Sequence, residues 1–176
     1  MAADNNFRSV QRGVAIWMGA AALLTVGAFV IVDRYGAPSS PVALPERLMI
    51  AVRTDLFVVL WLAIAISNIA RIRFISPDDI AGSRAAPPSP RLGIATAVLQ
   101  NTLEQVAIAV PAHFALAIFY GSRPIMVPVL GGLFCLGRFL FWAGYARGAV
   151  GRAFGFALTF YPSVGALLLA IWLALS

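Results

Sequence analysis

The run ALLLAIWL at residues 166–173 is apolar at every position. A membrane barrel needs strands that alternate apolar and polar residues, so this run excludes a barrel and favours an α-helix that lies in lipid. The rest of the chain has the same character, because 61% of its 176 residues are hydrophobic and only 11% are charged. The sequence therefore predicts an all-α integral membrane protein.

Five apolar runs are each near or above the ~20 residues that a helix needs to cross the hydrocarbon. They cover residues 13–32, 54–70, 93–120, 125–146 and 153–175. The first run is longer than the apolar part of a signal peptide, so we expect a retained helix. Short turns separate the last three runs, and these helices should pack as antiparallel neighbours. Five spanning helices are the expected arrangement.

The charge distribution predicts the orientation of these helices in the membrane. All 13 basic residues are arginines, and the pI is about 10.7. The five runs place eight arginines on one side of the membrane: Arg8, Arg12, Arg71, Arg73, Arg84, Arg91, Arg147 and Arg152. They place four on the other side: Arg34, Arg47, Arg53 and Arg123. The positive-inside rule then predicts a cytoplasmic N-terminus and an outside C-terminus, which we interpret as a bacterial inner-membrane topology. The sequence has no basic cluster with interleaved aromatic residues of the kind that would indicate nucleic-acid binding.

A carboxylate lies deep in the third apolar run, where Glu104 is part of the stretch QNTLEQ at residues 100–105. At 1.5 Å per residue it lies roughly 20 Å along the helix from Arg91, and Arg138 lies roughly 13 Å back from Arg147 on the next helix. The two side chains could therefore meet at similar depth. One interpretation is a buried ion pair that locks the bundle; the other is a site for a polar ligand that enters from the cytoplasm.

A second pattern follows in the fourth and fifth runs. Arg138, Tyr145 and Arg152 recur at intervals of seven residues, and Arg147 follows Tyr145 by two. Together with Asn101-Thr102-Leu103-Glu104, this pattern resembles the MAPEG family, the membrane-associated proteins of eicosanoid and glutathione metabolism. The first segment is similar to the family's Asn-x-x-Glu motif, and the second is similar to the segment that joins its third and fourth helices. Both segments in this order make the resemblance fairly specific.

The resemblance covers roughly residues 52–176 and implies a fold. The expected architecture is a four-helix MAPEG-like transmembrane domain over 50–176, assembled as a homotrimer. Residues 1–49 would add a cytoplasmic tail, one extra N-terminal transmembrane helix and a loop. The family binds glutathione between neighbouring subunits on the cytoplasmic side, which agrees with the independent charge count.

The resemblance also implies roles for individual residues. Arg152 matches the family arginine that faces the thiol of glutathione, and is the expected catalytic residue. An ordinary thiol has a pKa of about 8.5 and only the thiolate is a good nucleophile, so a permanent cation nearby would favour the reactive form. The expected glutathione-binding residues are Asn101, Glu104, Arg138, Tyr145 and Arg147, with Arg71, or in its place Arg73, from the adjacent subunit.

Four positions depart from the family pattern. Ala97 stands where many members carry an arginine, and Leu99 stands where a polar residue is common. Gln105 and Phe141 replace aromatic residues that carry a hydroxyl group. These replacements predict either weaker binding of glutathione or a different thiol as the ligand.

Two functions are compatible with these residues. The first is a glutathione-dependent membrane transferase or peroxidase, with glutathione as co-substrate and a lipophilic electrophile that enters from the bilayer. The second is a non-catalytic MAPEG-like protein that binds lipids or acts as a scaffold, in which Glu104 and Arg138 only lock the bundle. The sequence leaves enzymatic activity open. The sole histidine, His113, leaves no plausible set of metal ligands, so no metal is expected.

Overall fold

The computed structural model describes residues 2–80 and 87–176, with side chains from residue 6 onward. Arg84, which entered the charge count, lies outside the described residues. The described chain forms five α-helices and no strand. The helices are α1 (Ala2–Tyr35), α2 (Leu44–Ile75), α3 (Pro90–Phe119), α4 (Met126–Gly144) and α5 (Gly148–Leu175), and a 3₁₀ turn, Tyr145–Arg147, joins the last two. The all-α prediction is confirmed.

The helices are long and apolar enough for an integral membrane protein. Four segments qualify as spans by length and composition: Asn6–Tyr35, Leu44–Ile75, Pro90–Phe119 and Met126–Leu175. The last contains both α4 and α5, and its 50 residues would extend about 75 Å if they were straight. The chain instead reverses at Gly148, whose φ of 77° lies in the left-handed region that favours glycine. The number of membrane crossings stays a prediction.

Close contacts between glycines bring α4 and α5 together as an antiparallel pair. A Cβ atom added to Gly144 would lie 2.0 Å from the carbonyl oxygen of Gly151, and one added to Gly155 would lie 2.2 Å from the backbone nitrogen of Phe141. Small residues at such positions let two backbones approach closely in a membrane. The pairing places the start of α5 beside the end of α4, where the candidate site lies.

Helix α5 is central to the bundle, because it packs against α1, α3 and α4, while α2 packs against α3 and α4. Helix α2 is also longer than the apolar run that predicted it: the run begins at 54, and the helix begins at Leu44. Glu46, Arg47 and Arg53 lower the hydropathy of its first turns without interrupting its backbone. The predicted start was therefore wrong by about ten residues.

A buried hydrogen bond joins α2 to α3. The Nδ1 atom of His113 lies 2.6 Å from Oδ1 of Asp55, and the two side chains are 1% and 6% exposed. A polar group at this depth is costly unless it has a partner. The bond gives Nδ1 of His113 and Oδ1 of Asp55 a partner, while Oδ2 of Asp55 has none among the described residues. This single bond fixes the register of the two helices.

This pair leads to a stability prediction. Asp55→Ala and His113→Ala should each lower the free energy of unfolding, because each leaves the other side chain buried without its partner. The double variant should lose less than the sum of the two single variants, by about 1 kcal/mol. Unfolding of the four proteins in one detergent gives this coupling energy, and strictly additive losses would show that the bond does not stabilise the bundle.

The start of α3 is held by a carboxylate from the preceding segment. Asp79 accepts hydrogen bonds from the backbone nitrogen of Ser89 at 3.0 Å and from its hydroxyl at 2.7 Å. These two bonds, the backbone one first, hold the pKa of Asp79 below its usual value. The same hydroxyl caps α3 by accepting from the backbone nitrogen of Leu92 at 3.2 Å. Asp79 thereby ties the residues that follow α2 to the start of the helix that carries Asn101.

Candidate functional site

A cavity of about 350 Å³ lies between α1, α3, α4 and α5, beside the 3₁₀ turn. Three of the residues predicted from the sequence line it, namely Asn101, Tyr145 and Arg152. The other lining residues are Val14, Met18, Ala97, Phe141, Ala149, Ala153 and Phe156. The cavity thus presents an amide, a phenol and a guanidinium against a mostly apolar wall.

Arg138 is buried directly behind this cavity, with 1% of its surface exposed. Its Nη1 atom donates to Oδ1 of Asn101 at 2.8 Å, and its Nη2 atom donates to Oγ1 of Thr159 at 2.6 Å. Its guanidinium carbon also lies 4.4 Å from the centre of the Phe141 ring. Arg138 therefore orients Asn101, which leaves the Asn101 amide NH₂ group as a donor to a ligand.

Arg152 and Tyr145 form the other polar side of the cavity. The guanidinium carbon of Arg152 lies 4.5 Å from the centre of the Tyr145 ring, a cation–π contact, and Tyr145 meets Phe141 edge-on at 5.3 Å. Arg152 lies in the first turns of α5, where the helix dipole adds partial positive charge. The stacked ring limits the directions in which the guanidinium can point. This end of the cavity is suited to a negatively charged atom.

The structure corrects the predicted contact between Glu104 and Arg138. Arg138 meets Asn101, one turn earlier on α3, and Glu104 accepts instead from Nε2 of Gln100 at 3.0 Å. Three residues at about 100° each turn a helix by about 300°, so Glu104 points roughly 60° away from Asn101. The buried ion pair that would have locked the bundle is not formed in the described part of the chain.

Three other predicted residues lie away from the cavity lining. Glu104 is exposed on α3, Arg147 is exposed in the 3₁₀ turn, and Arg71 is exposed near the end of α2. The Nη2 atom of Arg71 donates to Oδ1 of Asn68 at 3.1 Å. In a single chain these residues do not join Asn101, Tyr145 and Arg152.

Two of the four departures from the family pattern lie in the cavity wall itself. Ala97 and Phe141 both line the cavity, whereas Gln105 is buried next to it along α3. Oε1 of Gln105 has no hydrogen-bond partner among the described residues. An alanine and a phenylalanine make this wall less polar than the family pattern implies.

Sequence reasoning missed Thr159 and the contribution of α1. Thr159 follows Arg152 by seven residues on α5, and this spacing is the signal that could have identified it as a partner for Arg138. Val14 and Met18 had no comparable signal, because they are apolar residues in an apolar helix. Helix α1 nevertheless closes one side of the cavity. Among the side chains that the structure describes, those of residues 6–80 and 87–176, no three potential ligands gather to hold a metal ion.

Comparison with known proteins identifies a relative of the chain and the family to which it belongs. It is 40% identical over 79 residues to the uncharacterized protein sll1147 of Synechocystis sp. (strain ATCC 27184 / PCC 6803 / Kazusa). This alignment covers 43% of the chain and 56% of that relative, so the chain spans little more than half of the relative's length. No solved structure matches the chain significantly. The model of the MAPEG family matches residues 48–172, which include α3, α4, the 3₁₀ turn and nearly all of α2 and α5. The chain therefore belongs to the MAPEG family.

Proposed function

We propose that this protein is a glutathione-dependent membrane transferase or peroxidase. Membership of the MAPEG family supports membrane-bound, glutathione-related chemistry in general. The observation that carries the specific proposal is the cavity in which Asn101, Tyr145 and Arg152 face one another, with Arg138 behind them. Glutathione would bind there as a co-substrate, and no metal is required for the reaction.

Arg152 is the residue that we assign to the chemistry. An arginine remains protonated and cannot accept the thiol proton, which passes to water. Its charge stabilises the thiolate that is left, and the thiolate is the nucleophile. In the transferase reaction the sulfur forms a bond to an electrophilic carbon, and the bonding electrons pass to the leaving group or to an opened ring oxygen. In the peroxidase reaction the thiolate sulfur attacks a peroxide oxygen, the O–O bond breaks, an alcohol leaves, and the sulfur becomes a sulfenic acid. The thiol of a second glutathione then attacks that sulfur, which gives glutathione disulfide and water.

The remaining cavity residues would bind rather than react. The Asn101 amide is fixed by Arg138 and can donate to a carbonyl or carboxylate of the tripeptide. The Tyr145 hydroxyl can hydrogen-bond the same ligand. Ala97, Phe141 and Phe156 leave an apolar wall for a lipophilic electrophile that enters from the bilayer. The fewer polar groups in this wall predict weaker glutathione binding than the family pattern implies.

The exposed residues would contribute through assembly. Glu104, Arg71 and Arg147 are exposed in one chain, so a neighbouring copy can cover them and bring them to its ligand. We propose a homotrimer in which this happens. The four helices from α2 onward would form its core, and residues 1–49 would add α1. In a bacterial inner membrane, the N-terminus and the cavity would face the cytoplasm, from which glutathione would come.

Calorimetric titration of the purified protein in mild detergent tests the proposal. Glutathione should bind at up to millimolar concentration, and its S-alkyl derivatives should compete for the same site. Absence of binding at millimolar glutathione would favour a non-catalytic lipid-binding or scaffolding protein. The mass of the same sample should correspond to a trimer, and a stable monomer would remove the proposed role of Glu104 and Arg71.

Helix α1 gives a prediction about substrate size. Met18→Trp should narrow the apolar side of the cavity and lower kcat/KM for a bulky electrophile by about tenfold, with a smaller effect on a compact one. Ile16→Trp is the matched control, because Ile16 lies on the same helix, is 69% exposed and does not line the cavity. Equal effects of Met18→Trp on both electrophiles would show that α1 does not select the substrate.

A further inference from the structure

A second polar cavity, of about 490 Å³, lies at the opposite end of the bundle. The connector 37–42 between α1 and α2 forms one side, and the turn 121–123 between α3 and α4 forms the other. Arg47 and Arg123 supply its charge, and the serines of the two segments supply hydroxyl groups. Helices α2, α3 and α4 all begin or end here, so the cavity lies where the bundle meets the membrane surface.

Arg47 lies across the turn in a position that only glycine permits. A Cβ atom added to Gly121 would lie 2.0 Å from Nη1 of Arg47 and 2.8 Å from its guanidinium carbon. The Nη1 atom donates to the carbonyl oxygen of Ile118 at 3.3 Å, and the buried Nε–H group has no acceptor in the part of the chain that the structure describes. A buried donor without an acceptor is costly, so the Nε–H group of Arg47 is available to an acceptor that a ligand brings.

Arg123 is held beside it by backbone carbonyls. Its Nε atom donates to the carbonyl oxygen of Asp33 at 2.6 Å, and its Nη1 atom donates to that of Ser122 at 2.9 Å. The Asp33 carboxylate accepts the hydroxyl of Tyr120 at 2.5 Å. Burial, and then this hydrogen bond, raise the pKa of Tyr120 to about 12, so the phenol remains neutral. Neither Arg47 nor Arg123 contacts a carboxylate within the described residues.

We propose that this cavity binds a phosphate-bearing anion. Two guanidinium groups fixed by their surroundings match the fork-like hydrogen bonding of phosphate oxygens. The same chemistry is offered by the headgroup of an anionic phospholipid and by free phosphate. This binding is independent of the thiol site, since the two cavities share no residue.

Binding to the full-length protein in mild detergent tests the site with two probes. Native mass spectrometry measures retention of phosphatidylglycerol against phosphatidylcholine, and calorimetry measures binding of inorganic phosphate. Selective retention of phosphatidylglycerol identifies a lipid headgroup as the ligand, and saturable phosphate binding alone identifies a soluble anion. Binding of neither probe would overturn the proposal.

Variants separate a built site from general attraction to positive charge. Gly121→Ala keeps every charge and displaces the Arg47 guanidinium, and Arg47→Lys keeps the charge without the fork. Each should weaken binding about tenfold, as the loss of one charge-assisted hydrogen bond implies. Arg34→Gln is the control, because Arg34 is exposed at the same end of the bundle and does not line the cavity. If Arg34→Gln weakened binding as much as Gly121→Ala or Arg47→Lys, the site would be refuted.

Discussion

Arg152→Ala is expected to lower kcat/KM for glutathione conjugation by about 25-fold at pH 7, in proportion to the loss of thiolate. This figure follows if the Arg152 charge lowers the pKa of the bound thiol by about two units from its ordinary value of about 8.5. Removal of the cation returns the thiol to its ordinary pKa, so little thiolate remains at neutral pH. Steady-state rates with a small electrophile measure the effect.

The pH profile distinguishes this role from a structural one. In the wild type the rate should rise through about pH 6.5 and level off by about pH 7.5, since most of the thiol is ionised there. In Arg152→Ala the rate should continue to rise through about pH 8.5 and recover most of the loss, because solvent then ionises the thiol. Arg91→Ala is the control, an exposed arginine at the start of α3 that does not line the cavity. An Arg152→Ala profile parallel to that of the wild type would contradict the assignment.

Arg138→Ala is expected to destabilise the bundle by about 3–5 kcal/mol. The side chain is 1% exposed, and its removal leaves a cavity in the core as well as two hydrogen-bonding groups without their donor. Unfolding in detergent measures this loss. A loss below about 1 kcal/mol would show that Arg138 does not support the packing of α3, α4 and α5.

Arg138→Met separates stability from ligand binding. Methionine is long and apolar, and replacement of a buried charged group by such a residue often leaves stability unchanged. Asn101 would nevertheless lose the donor that orients it, so glutathione affinity should fall about tenfold while the protein stays folded. Unchanged affinity in Arg138→Met would show that Arg138 supports the bundle and not the site.

The helical architecture could be predicted from hydropathy, but the start of α2 could not. Glu46, Arg47 and Arg53 lower the hydropathy of the first turns of α2, although Arg47 donates to the carbonyl oxygen of Ile118, a residue 71 positions away. Charges satisfied by distant partners look like an interruption when only local sequence is considered. Hydropathy therefore placed the start of this helix at 54, and not at Leu44.

The sequence placed Tyr145 and Arg152 in one site, but the seven-residue spacing between them is not what brings them together. Seven residues correspond to about two helical turns, which would put Tyr145 and Arg152 on one helix face. In the structure they face each other because the chain reverses at Gly148, between them, and α5 returns beside α4. No comparable reversal supported the predicted contact between Glu104 and Arg138. That contact depended on the register between α3 and α4. Sequence spacing within one helix does not determine that register.

The role of α1 could not be predicted for a related reason. Helix α1 is apolar on most sides, and many of its large side chains are exposed in the single chain. The sequence of such a helix does not determine which of several neighbours it packs against in lipid. Its packing against α5 depends on shape, as in the edge-on contact of Trp17 with Phe154 at 5.8 Å between ring centres.

The most direct measurement is the ionisation state of glutathione bound to the purified protein. The ultraviolet difference spectrum of the thiolate, recorded as glutathione is added at pH 7, reports this state without any electrophile. The wild type should show a saturable thiolate signal, and Arg152→Ala should bind glutathione with that signal lost. A wild type that binds glutathione without forming thiolate, or an equal signal in Arg152→Ala, would contradict the account.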